Sequence, residues 1–245
     1  MRDVRGPAPL LPGRLVRNRV FVATTLGLAG LYFAIFGGLV YVTRFLLDVR
    51  GASPSSAGLA LLSFAVVSLL SVLVATSPRV AWSQRSIVSA AFVCGALGLW
   101  SLHGLDATTS AWALQPGLVL LGVASGIVNP TFTAGHLAAF SARDGGIAAG
   151  VNSSARQLGT ALGTAVLGAL VHHGMTARLA EAGASPDAIA AAVDGRTSGP
   201  CAQTALASEI GAALGVGAVV LAVLALLSLV SLPGRPLSAP APARP

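Results

Sequence analysis

Long apolar runs separated by short polar connections dominate the chain. Six of them, 20–43, 57–75, 87–105, 113–140, 147–171 and 210–232, reach the roughly 18 residues or more that cross a bilayer as a helix. They are continuous rather than alternating, which excludes barrel strands of about ten residues. The pattern predicts an all-α membrane protein with six transmembrane helices over 20–232. A cytoplasmic segment over 1–19 precedes them, and a Pro/Ala-rich, disordered cytoplasmic tail over 233–245 follows. The connections are short except for a polar outer loop, 172–209. Within it, "SPDAIAAAVDG" predicts a brief helix with Ser185 as N-cap, Pro186 first, Asp187 at the positive end and Gly195 as the stop.

Composition sharpens the solvent. The chain is 54% hydrophobic and 9% charged, whereas a soluble domain carries about a quarter charged residues. Lipid must cover much of its surface. The net charge of +7 comes from arginines scattered between apolar runs, with no basic stripe interleaved with aromatics, so nucleic acid is not a partner. In a membrane protein the same excess directs topology. With the N-terminus inside, the inner segments hold Arg2, Arg5, Arg14, Arg17, Arg19, Arg79, Arg85, Arg143, Arg235 and Arg244, and the outer ones Arg44, Arg50, Arg178 and Arg196. This balance puts both termini in the cytoplasm. Residues 1–19 are not read as a cleaved signal, since no small-residue cleavage site follows a short apolar core. Cys94 in an apolar run and Cys201 in a polar loop predict neither a metal site nor a disulfide.

The chemistry concentrates in two runs. In the fifth, Asn152, Arg156 and Thr160 stand four apart on one helix face, with Ser153 beside them. Arg156 is about 15 Å of helical rise beyond Gly146, too deep for a boundary residue. Facing lipid there would cost at least about 2.5 kcal/mol, so it is expected to face the bundle interior or a water-filled cavity. All eight acids lie in loops, tails or run ends. Its partner is then a backbone carbonyl, water, a bound anion or a residue of another chain, and its role is either a bridge between helices or part of a transport path. In the fourth run, Pro130 removes a backbone donor and frees the carbonyl at Gly126 or Ile127, and Asn129, Thr131 and Thr133 can satisfy the loosened backbone or touch a solute. His136 near the inner end reads as an interface histidine rather than a proton relay. Gly159–Gly163, Gly122–Gly126 and Gly211–Gly215 are GxxxG steps that admit close helix packing. No HExxH, GxSxG, GxxxxGK[ST] or intramembrane acid pair is present, so the chain is not read as an enzyme.

Four stretches in order, "PLLPGRLVRNRVFV", "GASPSSAGLALL", "ALQPGLVLLGVASGIVNPTFTA" and "GIAAGVNSSARQLGTALGTAVLGALV", resemble the C-terminal half of drug:proton antiporters with fourteen spans. That family is a branch of the major facilitator superfamily, and the match covers residues 9–232. "AGVNSSARQLGTALGTAVLG" is its most specific piece. The resemblance implies half of a facilitator fold, in which two six-span halves rock about a central cavity, in a bacterial inner membrane. It implies export of small amphipathic, often cationic, drug-like solutes with a proton gradient as energy source and no cofactor. Arg156, Gln157, Asn152, Gly150, Gly159 and Gly163 match the family's fifth-span pattern, and Pro130 and Gly126 its fourth. The substrate or gating candidates are therefore Arg156, Asn152, Gln157, Asn129, Pro130 and Thr133. The packing candidates are Gly122, Gly126, Gly150, Gly159 and Gly163, and no metal ligands are expected. The family's proton-coupling acids belong to the half that this chain lacks, and "LVATSPRVAWSQRS" keeps Arg79 and Arg85 of the family's loop motif but not its acid or glycines. The chain is thus expected to pair with a second copy or a separate N-terminal half. The alternative is a truncated, non-transporting fragment or a regulatory membrane protein.

Overall fold

The computed structural model describes residues 19–77, 83–139, 145–193 and 199–232. The first helix, α1, occupies 19–49. It runs α-helical over Arg19–Leu31, widens into a π turn over Tyr32–Phe36, resumes over Gly37–Arg44 and closes on a second π turn over Phe45–Val49. Then follow α2 (Pro54–Ala75), α3 (Gln84–Ser101), a 3-10 turn (Ala111–Leu114) leading into α4 (Gln115–Ala139), α5 (Gly145–Glu181), the short α6 (Pro186–Val193) and α7 (Pro200–Ser231).

Local chemistry sets the boundaries. Ser53 and Ser83 cap α2 and α3, their hydroxyls accepting from the amides of Ser56 and Ser86 at 3.2 and 3.1 Å. The short helix starts as its pattern predicts, with Ser185 Oγ accepting from the Ala188 amide at 3.3 Å; Gly195 lies outside the described residues. Gly51 (φ 61°) and Gly183 (φ 79°) turn the chain out of α1 and α5 through left-handed backbone that side-chain-bearing residues disfavour.

Two helices are longer than their apolar runs. α5 continues past Val171 to Glu181 and α7 begins at Pro200, so the stretch 172–209 is largely helical rather than loop. Polarity at His172 and His173 ends an apolar run, but it does not end a helix made of good helix formers. The two extensions meet through an ion pair between Arg178 and Glu209.

Four of the helical segments are long and apolar enough to cross a membrane: Phe21–Val49, Pro54–Ala75, Ala111–Ala134 and Pro200–Ser231. Among the described residues, the other two long helices, α3 and α5, carry more polar and small residues. Within this all-α bundle, α1 packs against α4, α5 and α7, α3 packs against α4 and α7, and α2 leans on α4. A buried hydroxyl pair, Ser89 and Ser228 at 2.6 Å, joins α3 to α7. The His103 ring, stacked on Trp100, reaches the Gly211 carbonyl at 3.1 Å, where Gly211 and Gly215 leave room for it.

The outside is oil. Leu59, Leu62, Val66, Leu69 and Leu73 of α2 are exposed, as is the stripe Leu158, Leu162, Val166, Leu170 along α5. Continuous apolar surface on this scale suits acyl chains rather than water.

Candidate functional site

The site is built where α1, α4 and α5 converge. The close approach comes first. A Cβ on Gly159 would strike the Ala29 carbonyl, and one on Gly163 the Phe33 carbonyl; on the facing side, a Cβ on Gly37 would lie 2.9 Å from the Gly163 backbone. Glycine at these positions lets the α1 and α5 backbones touch. The Tyr41 hydroxyl, donating to the Thr164 carbonyl at 2.6 Å, fastens the same pair farther along.

Arg156 precedes Gly159 by one turn on that face. Its guanidinium therefore lands over the Tyr32 ring, 5.5 Å from the centroid, within cation–π range. Its Nη2 donates to Thr133 Oγ1 at 2.9 Å, and Asn152 Nδ2 donates to the same oxygen at 3.5 Å. Asn129 Nδ2 donates to the Tyr32 hydroxyl at 2.9 Å. Arg156 Nε is buried with no hydrogen-bond partner.

Pro130 shapes the α4 side. The helix continues through it, while the backbone near it is bound by side chains. Thr131 Oγ1 donates to the Ile127 carbonyl at 2.7 Å, and Thr133 Oγ1 to the Asn129 carbonyl at 2.8 Å. Because its proton is committed, the Thr133 hydroxyl presents lone pairs to Arg156. The helix adjustment around a proline thus orients the acceptor for the buried cation.

An aromatic ridge completes the arrangement. Tyr32 stacks on Phe36 (centroids 4.3 Å, planes 9° apart), and Phe36 meets Phe64 of α2 edge-on at 6.0 Å. Gly122 and Gly126 bring α2 close to α4, since a Cβ on either would strike the α2 backbone at Phe64 and Ser68. The three rings and Asn129, Thr133, Asn152 and Arg156 are all half-buried, so the cluster lines an open face.

Arg156, Asn152, Asn129 and Thr133 thus come together, with Pro130 adjacent. Gln157 does not join them: it is exposed, one residue off the face. Gly150 is not a packing position among the described residues, where a Cβ would meet nothing within 4 Å; it lies before the α1–α5 crossing begins. The side chain of His136, and Arg79 and Arg143, lie outside the described residues. The described acids Asp48, Asp106, Glu181, Asp187 and Glu209 lie toward the opposite end of the bundle, where α1, α3 and α5 finish.

Residues 2–164 match the family model of the Major Facilitator Superfamily, about two thirds of the chain. The chain belongs to the major facilitator superfamily. Among its relatives, the tetracenomycin C resistance and export protein of Streptomyces glaucescens is 29% identical over 171 residues, 70% of this chain and 32% of its own length. Multidrug resistance protein Stp of Mycobacterium tuberculosis is 31% identical over 177 residues (71% and 32%). Puromycin resistance protein pur8 of Streptomyces alboniger is 30% identical over 195 residues (78% and 38%). The chain spans about a third of the length of these curated relatives. The chain is accordingly a multi-pass membrane protein of a transporter family.

Sequence reasoning missed the aromatic half of this candidate site. Tyr32 and Phe36 sit in "LYFAIFGG", which reads as ordinary apolar helix. The π turn that rotates them onto α5 and α2 has no sequence signature beyond the two glycines that follow.

Proposed function

We propose that this bundle is one half of a drug exporter that moves small amphipathic solutes outward in exchange for protons. It works with a second six-helix bundle, either another copy of this chain or a separately encoded one, and both of its termini face the cytoplasm. One observation carries the reading. Arg156 is turned onto α1 and α4, held by Thr133 and Tyr32, and no carboxylate among the described residues pairs with it. An intramembrane cation turned onto neighbouring helices and without a counter-ion among the described residues is a functional feature by default. The resistance and export proteins among the relatives support the same direction.

Reconstitution tests it. The full chain in liposomes, alone and co-reconstituted with an N-terminal bundle from a related exporter, is expected to drive dye movement under an imposed proton gradient in at least one arrangement. Arg156→Ala is expected to abolish that flux, while Arg143→Ala leaves most of it. Absence of flux in every arrangement would favour the non-transporting, regulatory alternative. Equal flux in both variants would remove Arg156 from the mechanism.

A further inference from the structure

The resemblance implies amphipathic, often cationic, solutes, but the charge and hydrogen-bonding inventory of the cluster points to an anion. The one formal charge in it is the Arg156 guanidinium, and no described acid lies near. The remaining groups are neutral, and most of their donors are already spent inside the cluster. Thr133 spends its proton on the Asn129 carbonyl, and the Asn129 and Asn152 amides point their N–H groups at Tyr32 and Thr133. The Tyr32 hydroxyl accepts from Asn129 and keeps its own proton to give. The guanidinium already occupies the cation position over the Tyr32 ring, so a second cation would meet like charge in a partly dry site. Beside the guanidinium and this hydroxyl runs the stacked and edge-on ridge of Tyr32, Phe36 and Phe64, all half-buried.

We infer that this site takes a planar aromatic solute bearing an anionic oxygen, a carboxylate or phenolate, with the oxygen on Arg156 and the Tyr32 hydroxyl and the ring against Phe36 and Phe64. The inference rests on the cluster being the solute site of the transport reading above, and it specifies the solute by charge and shape. Guanidinium recognises a carboxylate through parallel donors, and aromatic faces supply sequence-independent stacking area. The like charge of Arg156 opposes the cation–π attraction that the Phe36 and Phe64 faces would otherwise offer an ammonium group.

The test uses the full chain in lipid nanodiscs and two fluorescent probes with the same ring system and opposite charge, anthracene carboxylate and aminomethylanthracene. The carboxylate is expected to bind at least about tenfold more tightly than the ammonium. Arg156→Gln is expected to erase that preference and Arg156→Lys to retain part of it, while Tyr32→Leu weakens the carboxylate more than the ammonium and Phe64→Leu weakens both probes together. Equal or tighter binding of the ammonium overturns the inference, as does unchanged carboxylate binding in a folded Arg156→Gln. Failure to fold is recognised by size exclusion and circular dichroism, and Arg156→Lys then carries the comparison. Because binding is read without a gradient, a carboxylate preference without flux would leave this inference standing and sink the transport reading. Flux of cations alone would do the reverse.

Discussion

Arg156 shows how much a single side chain depends on its neighbours. Its hydrogen bond among the described residues goes to a hydroxyl whose orientation is set by a back-bond beside a proline. Replacing Thr133 by valine removes the acceptor and leaves the cation to Tyr32 alone. The expected loss is about 1–2 kcal/mol, the upper range for a polar contact between membrane helices, read from denaturant titration in mixed micelles. Away from the bundle interior, Asp106 holds the turn after α3. Its carboxylate accepts from the Thr108 hydroxyl and amide at 2.7 Å each and from the Thr109 hydroxyl at 3.1 Å. Those hydrogen bonds, Thr108's first, keep its carboxyl below the ordinary range. A carboxyl lowered in the folded state contributes stability above its unfolded value and loses it as pH falls through the folded one. Exchange protection of the Thr108 amide is therefore expected to persist through the usual carboxylate range and vanish only below it. Asp106→Ala should abolish that acid-dependent step.

At the level of elements, the glycines of α5 divide into two kinds that look alike in sequence. Gly159 and Gly163 touch the α1 backbone, whereas Gly150 touches nothing described. Gly163→Leu is expected to push α1 from α5 and cost more than about 3 kcal/mol through overpacking, which loss of cysteine cross-linking between the two helices would register. Gly150→Ala is expected to be neutral or to stabilise by up to about 1 kcal/mol, the helix-propensity difference. A destabilising Gly150→Ala would mean that the residue meets a surface beyond this chain's described contacts. The existence of the long helices and the start of α6 were legible because apolar length and capping residues are local signals. The extensions of α5 and α7 were not, since polarity marks where lipid ends and says nothing about where the backbone hydrogen-bond ladder stops.

On the scale of the whole molecule, the ion pairs among the described residues lie at one end of the bundle and Arg156 lies nearer the other. Arg44–Asp48 and Arg178–Glu209 lie where α1 finishes and where the α5 and α7 extensions meet. We propose that the arginine-rich connections face the cytoplasm, so a reporter fused after Pro245 is expected to be active only on the cytoplasmic side. Periplasmic activity would require an odd number of crossings and a different pairing of helices.

The linear pattern alone determined the solvent, the helical class, the number of long helices and the inward bias of Arg156. Each follows from apolar length or from the cost of charge in hydrocarbon, which no tertiary arrangement alters. Folding decided the partners. Thr133 and Tyr32 reach Arg156 from 23 and 124 positions away because glycine contacts and a π turn bring three backbones together. Such meetings depend on packing geometry between distant segments, and the order of residues along one segment does not encode it.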